Sequence, residues 1–158
     1  MTDFLCFVIN KEPDIGRIMK KTITAVVFDM DGVLFDTERI YMECWREAAE
    51  PTGLKNVDEI SKACIGRTLQ GTKEVFEAAK AEQGIDISFE ELHEDCSRRF
   101  KEKEERDGLP EKPGVHEILE YLKKQGIPVA LASSTRKAAV MEHLDRAGIT
   151  SYFQRIIC

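Results

Sequence analysis

Residues 23–32 read Ile-Thr-Ala-Val-Val-Phe-Asp-Met-Asp-Gly, an apolar and β-branched run that ends in a turn signal. Such a run is typical of a strand buried on both faces, as in the parallel sheets of α/β proteins. Similar runs cover residues 127–132 and 152–157, and helical patterns over residues 115–125 and 136–147 alternate with them. The alternation of strands and helices predicts an α/β fold with a doubly wound parallel sheet.

Residues 36–108 interrupt this alternation with helical periodicity alone. Helix end signals divide them into four helices: Gly84 has the position of a C-cap, and Ser88 begins a capping box. We therefore expect a helical insertion after the first strand. The predicted organisation is an N-terminal extension that is loosely ordered (1–20), an α/β core (21–36 and 110–158) and an inserted helical domain (37–109).

Composition excludes several classes of protein. The 158 residues include 23 basic and 29 acidic ones, a net charge of −6 that argues against a general nucleic-acid binder. The five cysteines are an odd number and form no C-x-x-C motif, which disfavours a disulfide framework or a zinc cluster. The sequence has no apolar run near the ~18 residues of a membrane span and no signal-peptide pattern. We expect a cytoplasmic protein without membrane or nucleic-acid partners.

Polar side chains follow two of the predicted strands, where ligands bind in open parallel sheets. Asp29 and Asp31 are two residues apart, so they point to the same side of the strand end. Their mutual repulsion favours a divalent cation, and an oxygen-only ligand set suits Mg²⁺. Ser133 and Ser134 precede a helix N-terminus, which is an anion site. Turn-forming aspartates and helix-capping serines remain the simpler alternatives.

Residues 25–38 (Ala-Val-Val-Phe-Asp-Met-Asp-Gly-Val-Leu-Phe-Asp-Thr-Glu) closely resemble the first motif of the haloacid dehalogenase (HAD) superfamily. Within it, they are most similar to the β-phosphoglucomutase-like and sugar-phosphatase-like branch. Ala-Ser-Ser at residues 132–134 resembles the second motif, and Pro-Gly-Val at residues 113–115 also looks typical. The resemblance implies a Rossmann-like sheet, incomplete in this chain, and identifies the insertion with the helical cap of that branch.

The resemblance also implies roles for the residues at the strand ends. Asp29 would attack phosphorus and form an aspartyl phosphate, and Asp31 would act as general acid and base. Mg²⁺ would be held by the Asp29 carboxylate and the Asp31 backbone carbonyl. Ser133 would donate a hydrogen bond to a phosphoryl oxygen, and Ser134 would offer its backbone N–H.

Basic residues are the candidates for substrate contacts. Arg67 in the cap, and Arg136 with Lys137 in the core, could bind a second phosphate or a sugar group, but solvated surface charge is the simpler interpretation of each. The crossings near residues 36–37 and 112–113 are expected to act as hinges. The three histidines, at positions 93, 116 and 143, are interpreted as surface residues.

The chain departs from the family pattern after its third core strand. The family's third and fourth motifs supply a lysine and further metal-binding acids, and neither follows before Cys158. We expect weaker metal binding and an uncovered edge on the first strand, which invites self-association. The favoured function is a Mg²⁺-dependent phosphatase acting on a small phosphorylated metabolite such as a sugar phosphate. The alternatives are a mutase like β-phosphoglucomutase and a catalytically incomplete fragment, and a dehalogenase fits the serine pair less well.

Overall fold

The computed structural model describes residues 23–158 and, as backbone only, residues 6–10. It contains two compact units, one of Met1–Asp36 with Leu109–Cys158 and the other of Thr37–Gly108. The strands are β1 (Cys6–Asn10), β2 (Ile23–Phe28), β3 (Val129–Ala132) and β4 (Arg155–Ile157). The helices are α1 (Thr37–Ala49), α2 (Val57–Cys64), α3 (Leu69–Gln83), α4 (Phe89–Asp107), α5 (Val115–Lys124) and α6 (Lys137–Arg146).

The sheet of the first unit has the strand order β1-β2-β3-β4. β2 pairs with β3 in parallel, with Phe28 opposite Leu131, and β3 pairs with β4 in parallel. The helices α5 and α6 form the crossovers between these three strands, as the alternating pattern predicts. The predicted α/β class with a parallel sheet is therefore confirmed.

The edge of β2 away from β3 is occupied by β1. β1 runs antiparallel to β2, with Cys6 opposite Phe28 and a register shift between Ile9 and Asn10. The expectation of an uncovered edge on this strand is therefore wrong. The expectation that the N-terminal extension is loosely ordered stays a prediction. No sequence pattern predicts β1, because a single apolar run of this length also fits a loop or leader. The rest of the predicted extension lies outside the described residues, and self-association stays a prediction.

The core of the first unit lies between the sheet and its helices. Residues of β2, β3, α5 and α6 fill it together with Met30 and residues 33–35 of the loop after β2. His143 belongs to this core as well: it is 5% exposed, and its ring centroid lies 6.0 Å from that of Phe35. Its interpretation as a surface residue is wrong, because α6 buries Val140, His143 and Leu144, which share one helix face.

The helical unit has a core of its own. α1 packs against α4 and buries Cys44 and Trp45, while the ring of Phe76 from α3 lies 6.3 Å from that of Trp45. The capping signals act as expected: the Ser88 hydroxyl accepts a hydrogen bond from the Glu91 N–H at 3.3 Å, and Gly84 ends α3 in the left-handed conformation. Across the described part of the chain, no helix combines the length and apolar character that a bilayer crossing requires.

Candidate active site

Two polar segments meet at the carboxyl edge of the sheet because β2 and β3 are parallel neighbours. Asp29 is the first residue after β2, and Ser133 is the first residue after β3. A hydrogen bond from the Thr135 hydroxyl to Oδ2 of Asp31, 3.1 Å long, joins the segment that follows β3 to the one that follows β2. The structure thus brings together the two motifs that are about a hundred residues apart in the sequence.

The segment after β2 is a tight turn whose base is buried. The N–H groups of Leu34 and Phe35 both donate to the carbonyl oxygen of Met30, at 3.0 and 3.1 Å, and the N–H of Gly32 donates to the carbonyl of Phe35 at 2.9 Å. Gly32 has φ of 70°, a backbone conformation that side chains with a Cβ rarely adopt. The turn is anchored by its buried side chains, whereas Asp31 lies at its exposed tip.

The two carboxylates differ in environment. Asp29 is half-buried, and its Oδ1 accepts a hydrogen bond of 2.6 Å from the N–H of Met30. Asp31 is exposed and accepts from Thr135. A half-buried oxygen held by the backbone suits a nucleophile, whereas an exposed carboxylate suits proton exchange.

The segment after β3 is held by two hydrogen bonds, one to the neighbouring strand and one within the segment. The N–H of Ser133 donates to the carbonyl of Ile157 at 3.0 Å, and Oγ of Ser133 accepts from the N–H of Thr135 at 3.1 Å. The N-cap of α6 is Arg136, which makes no side-chain capping bond. Neither predicted serine is therefore the N-cap of α6, and Ser134 is exposed in the turn before that helix.

The candidate substrate-binding arginines lie in different units. Arg136 follows the Ser133–Thr135 turn directly and is exposed. Arg67 lies in the helical unit, where its Nε donates to the carbonyl of Ala63 at 2.7 Å. Of the two, Arg136 is brought to the strand edge within the first unit.

Sequence reasoning missed two contacts near this edge. Thr135 directly follows the predicted Ser133–Ser134 pair, but its contact with Asp31 depends on the pairing of β2 with β3. At the crossing between the units, Nζ of Lys112 lies 2.6 Å from Oδ1 of Asp36, and the N–H of Asp36 donates to the carbonyl of Pro110 at 2.8 Å. No local signal in the sequence predicts this ion pair.

The donor set at the strand edge is compatible with Mg²⁺. Within the described ranges, no group of three or more His, Cys, Asp or Glu side chains is placed to hold a metal ion. Mg²⁺ commonly uses one or two carboxylates and keeps several waters. The oxygen atoms of Asp29 and Asp31 are therefore suitable ligands for this ion.

The buried thiols of the helical unit are unsuited to nucleophilic chemistry. Burial raises the pKa of Cys96 to about 12, and burial also raises the pKa of Cys44. Both therefore remain neutral thiols at physiological pH.

Comparison with known proteins agrees with this geometry. The family model for haloacid dehalogenase-like hydrolases matches residues 26–158. A phosphorylated carbohydrates phosphatase from Thermotoga maritima is 35% identical over 84% of this chain and 60% of its own length. A β-phosphoglucomutase from Bacillus subtilis is 27% identical over 84% of this chain and 59% of its own.

Solved structures support the same relationship. A HAD family hydrolase from Deinococcus radiodurans, crystallised with bound phosphate and sodium, has a TM-score of 0.65 and 27% identity and covers 84% of this chain and 56% of its own. The chain spans about 60% of the length of the curated relatives it matches. The resemblance seen in the two motifs is confirmed, and the chain belongs to the haloacid dehalogenase-like hydrolase family.

Proposed function

We propose that this chain carries out phosphoryl transfer from a small phosphorylated metabolite, such as a sugar phosphate, and acts as a phosphatase. The observation that carries the proposal is the joining of the Asp29–Asp31 turn to the Ser133–Thr135 turn at one sheet edge. The phosphatase from Thermotoga maritima supports phosphorylated carbohydrates as the substrate class.

In the first step, a carboxylate oxygen of Asp29 attacks phosphorus. A bond forms between this oxygen and phosphorus, and the bond from phosphorus to the ester oxygen breaks. Asp31, protonated at this stage, gives its proton to the leaving oxygen, so the alcohol leaves neutral. The product on the protein is an aspartyl phosphate at Asp29.

In the second step, water replaces the alcohol. Asp31, now ionised, takes a proton from the water as its oxygen bonds to phosphorus, and the bond from phosphorus to Asp29 breaks. Inorganic phosphate leaves, and both aspartates return to their starting protonation states. The exposure of Asp31 suits this role, because the alcohol and the water must both reach it.

Anion-binding groups on the second segment would hold the phosphoryl oxygens. The hydroxyl of Ser133 and the N–H of Ser134 lie in the turn that precedes α6. Arg136 would add a positive charge beside them, and Arg67 stays a proposed contact for a second charged or polar group of the substrate.

Mg²⁺ is the proposed cofactor, and it would be held by the Asp29 carboxylate and by the backbone carbonyl of Asp31. When bound, it reduces the repulsion between the nucleophile and the phosphate and stabilises the charge on the transferring group.

Two alternatives follow from specific observations. The similarity to β-phosphoglucomutase favours a mutase, in which a sugar hydroxyl replaces water in the second step. A catalytically incomplete chain is the other alternative, and the match covers 60% of the length of the Thermotoga maritima phosphatase. A sugar 1-phosphate separates phosphatase from mutase, since the first releases phosphate and the second gives an isomeric sugar phosphate.

The experiment is hydrolysis of a phosphate monoester by the full chain, with and without Mg²⁺. Asp29→Asn is the test variant, and Asp86→Asn is the matched control because Asp86 is an exposed aspartate in the helical unit. We expect Mg²⁺-dependent phosphate release that Asp29→Asn abolishes and Asp86→Asn retains. Release equal in the wild type and Asp29→Asn contradicts the proposal and favours the incomplete chain.

A further inference from the structure

Thr135 makes the contact that joins the two catalytic segments. Its hydroxyl donates to Oδ2 of Asp31 at 3.1 Å, between residues 104 positions apart in the sequence. Thr135 is half-buried, whereas Asp31 is exposed at the tip of its turn. The contact therefore runs from a half-buried side chain to an exposed one.

Thr135 is itself fixed by its surroundings. Its N–H donates to Oγ of Ser133 at 3.1 Å, and the N–H of Ser133 donates to the carbonyl of Ile157 in the neighbouring strand at 3.0 Å. Two residues further on, α6 begins, and it is anchored by Val140 and Leu144, both fully buried. A β-branched side chain on such a backbone has few accessible rotamers. Its hydroxyl is thus a pre-positioned donor.

The proton transfers assigned to Asp31 depend on its orientation. A general acid must lie within hydrogen-bond reach of the atom that it protonates, and a misplacement of about 1 Å can cost roughly a hundredfold in rate. A donor bound to Oδ2 fixes the plane of the carboxyl group and directs the exchanged proton to Oδ1. Loss of this contact should widen the range of rotamers that the Asp31 side chain samples.

We propose that Thr135 is a positioning residue whose hydroxyl holds the Asp31 carboxyl group in the orientation for proton transfer. The proposal deepens the function proposed above and rests on it. Thr135 takes no part in bond making or breaking, and its effect on the reaction passes through Asp31.

The kinetic test uses Thr135→Val, which replaces the hydroxyl by a methyl group, and Thr135→Ser, which retains the hydroxyl. Thr150→Val is the matched control, because the Thr150 hydroxyl also donates to an aspartate, Asp145, at 2.5 Å in the same unit. We expect Thr135→Val to lower kcat on an alkyl phosphate by about tenfold or more, because misplacement of a catalytic group by about 1 Å can cost roughly a hundredfold in rate. KM should change little, and Thr135→Ser should restore most of kcat.

The dependence on the leaving group identifies the mechanism. 4-Nitrophenyl phosphate has a leaving oxygen that needs little protonation, so Thr135→Val should slow its turnover much less than that of an alkyl phosphate. An equal loss on both substrates, or a loss that Thr150→Val reproduces, overturns the positioning role.

A second readout does not depend on activity. Three-bond NMR couplings from Cγ of Asp31 to its backbone N and C′ report the χ1 rotamer. We expect values of a single rotamer in the wild type and Thr135→Ser, and averaged values in Thr135→Val. Averaged values in the wild type, or unchanged values in Thr135→Val, overturn the proposal. If the couplings respond as expected while the wild type releases no phosphate, the proposed function fails, but the restraint of Asp31 by the Thr135 hydroxyl is still supported.

Discussion

The turn that carries Asp31 depends on Phe35, and replacing this side chain tests the connection between core packing and the site. Phe35 is 1% exposed, and its ring lies against that of His143 in the core of the first unit. Its backbone closes the turn, since its N–H donates to the carbonyl of Met30 and its carbonyl accepts from Gly32. Phe35→Ala would remove the ring while leaving these backbone groups in place.

The expected cost follows from the burial of this ring. Truncation of a fully buried phenylalanine to alanine generally costs about 3–5 kcal/mol, counting lost transfer energy and the cavity left behind. A domain is stable by about 5–15 kcal/mol, so the variant would lose a large share of its margin. For a chain of this size the melting temperature would fall by about 6–20 °C. Phe35→Leu, which retains much of the volume, should cost about 1.5 kcal/mol or less.

The assay is urea unfolding followed by far-UV circular dichroism, with amide hydrogen exchange at β2 and β3 to follow the first unit. Leu69→Ala is the control, because Leu69 is 61% exposed in the helical unit and should change stability by no more than about 0.5 kcal/mol. Activity measured well below the melting temperature should also fall in Phe35→Ala, since the turn loses its anchor. A destabilisation below about 1 kcal/mol would refute the reasoning that Phe35 anchors the turn.

Three further predictions concern other parts of the chain. With a thiol reagent at neutral to mildly basic pH, the exposed Cys158 should react quickly. Cys96 should react only when the protein unfolds, because its thiol is buried and its pKa is raised to about 12. Fast labelling of Cys96 in the native protein would contradict this prediction. The hydrogen bond from Lys103 holds the pKa of the Glu47 carboxyl group below its ordinary value of 4.5. This carboxylate therefore stabilises the fold at pH values above 4.5, and the contribution is lost as the pH falls through the pKa of the folded state. Urea midpoints of the wild type and Glu47→Gln should accordingly differ at pH 7 and converge in acid, and a constant difference would argue against the pairing. Removal of residues 1–20 takes away β1 and exposes the edge of β2, so light scattering should detect larger species than in the full chain. An unchanged molecular mass would show that the exposed edge of β2 does not cause association.

The local patterns in the sequence were sufficient to predict most elements. The buried run before Asp29 predicts β2, and the end signals at Gly84 and Ser88 coincide with the end of α3 and the start of α4. The motif around Asp29 and Asp31 also predicts where chemistry belongs, because the carboxyl ends of parallel strands form one edge. These features depend on neighbours in the sequence, so the sequence alone reveals them.

Other features depend on which segments meet in space. His143 has acidic and basic neighbours in sequence, yet it is buried because its helix face lies on the sheet. β1 lacks a distinctive pattern, and only pairing with β2 gives its strand a role. The ion pair of Lys112 with Asp36 likewise arises because the two crossings of the chain lie side by side.

By itself the sequence determined the family, the class of fold and the pair of aspartates, since these rest on hydrophobic periodicity and on two short motifs. Only the tertiary structure decided that Thr135 contacts Asp31, that Phe35 is buried beneath the turn that carries Asp31, and that the outer edge of β2 is covered. The physical reason is that hydrogen bonds and packing between distant segments form only once strand order and register have placed them within a few ångströms of each other.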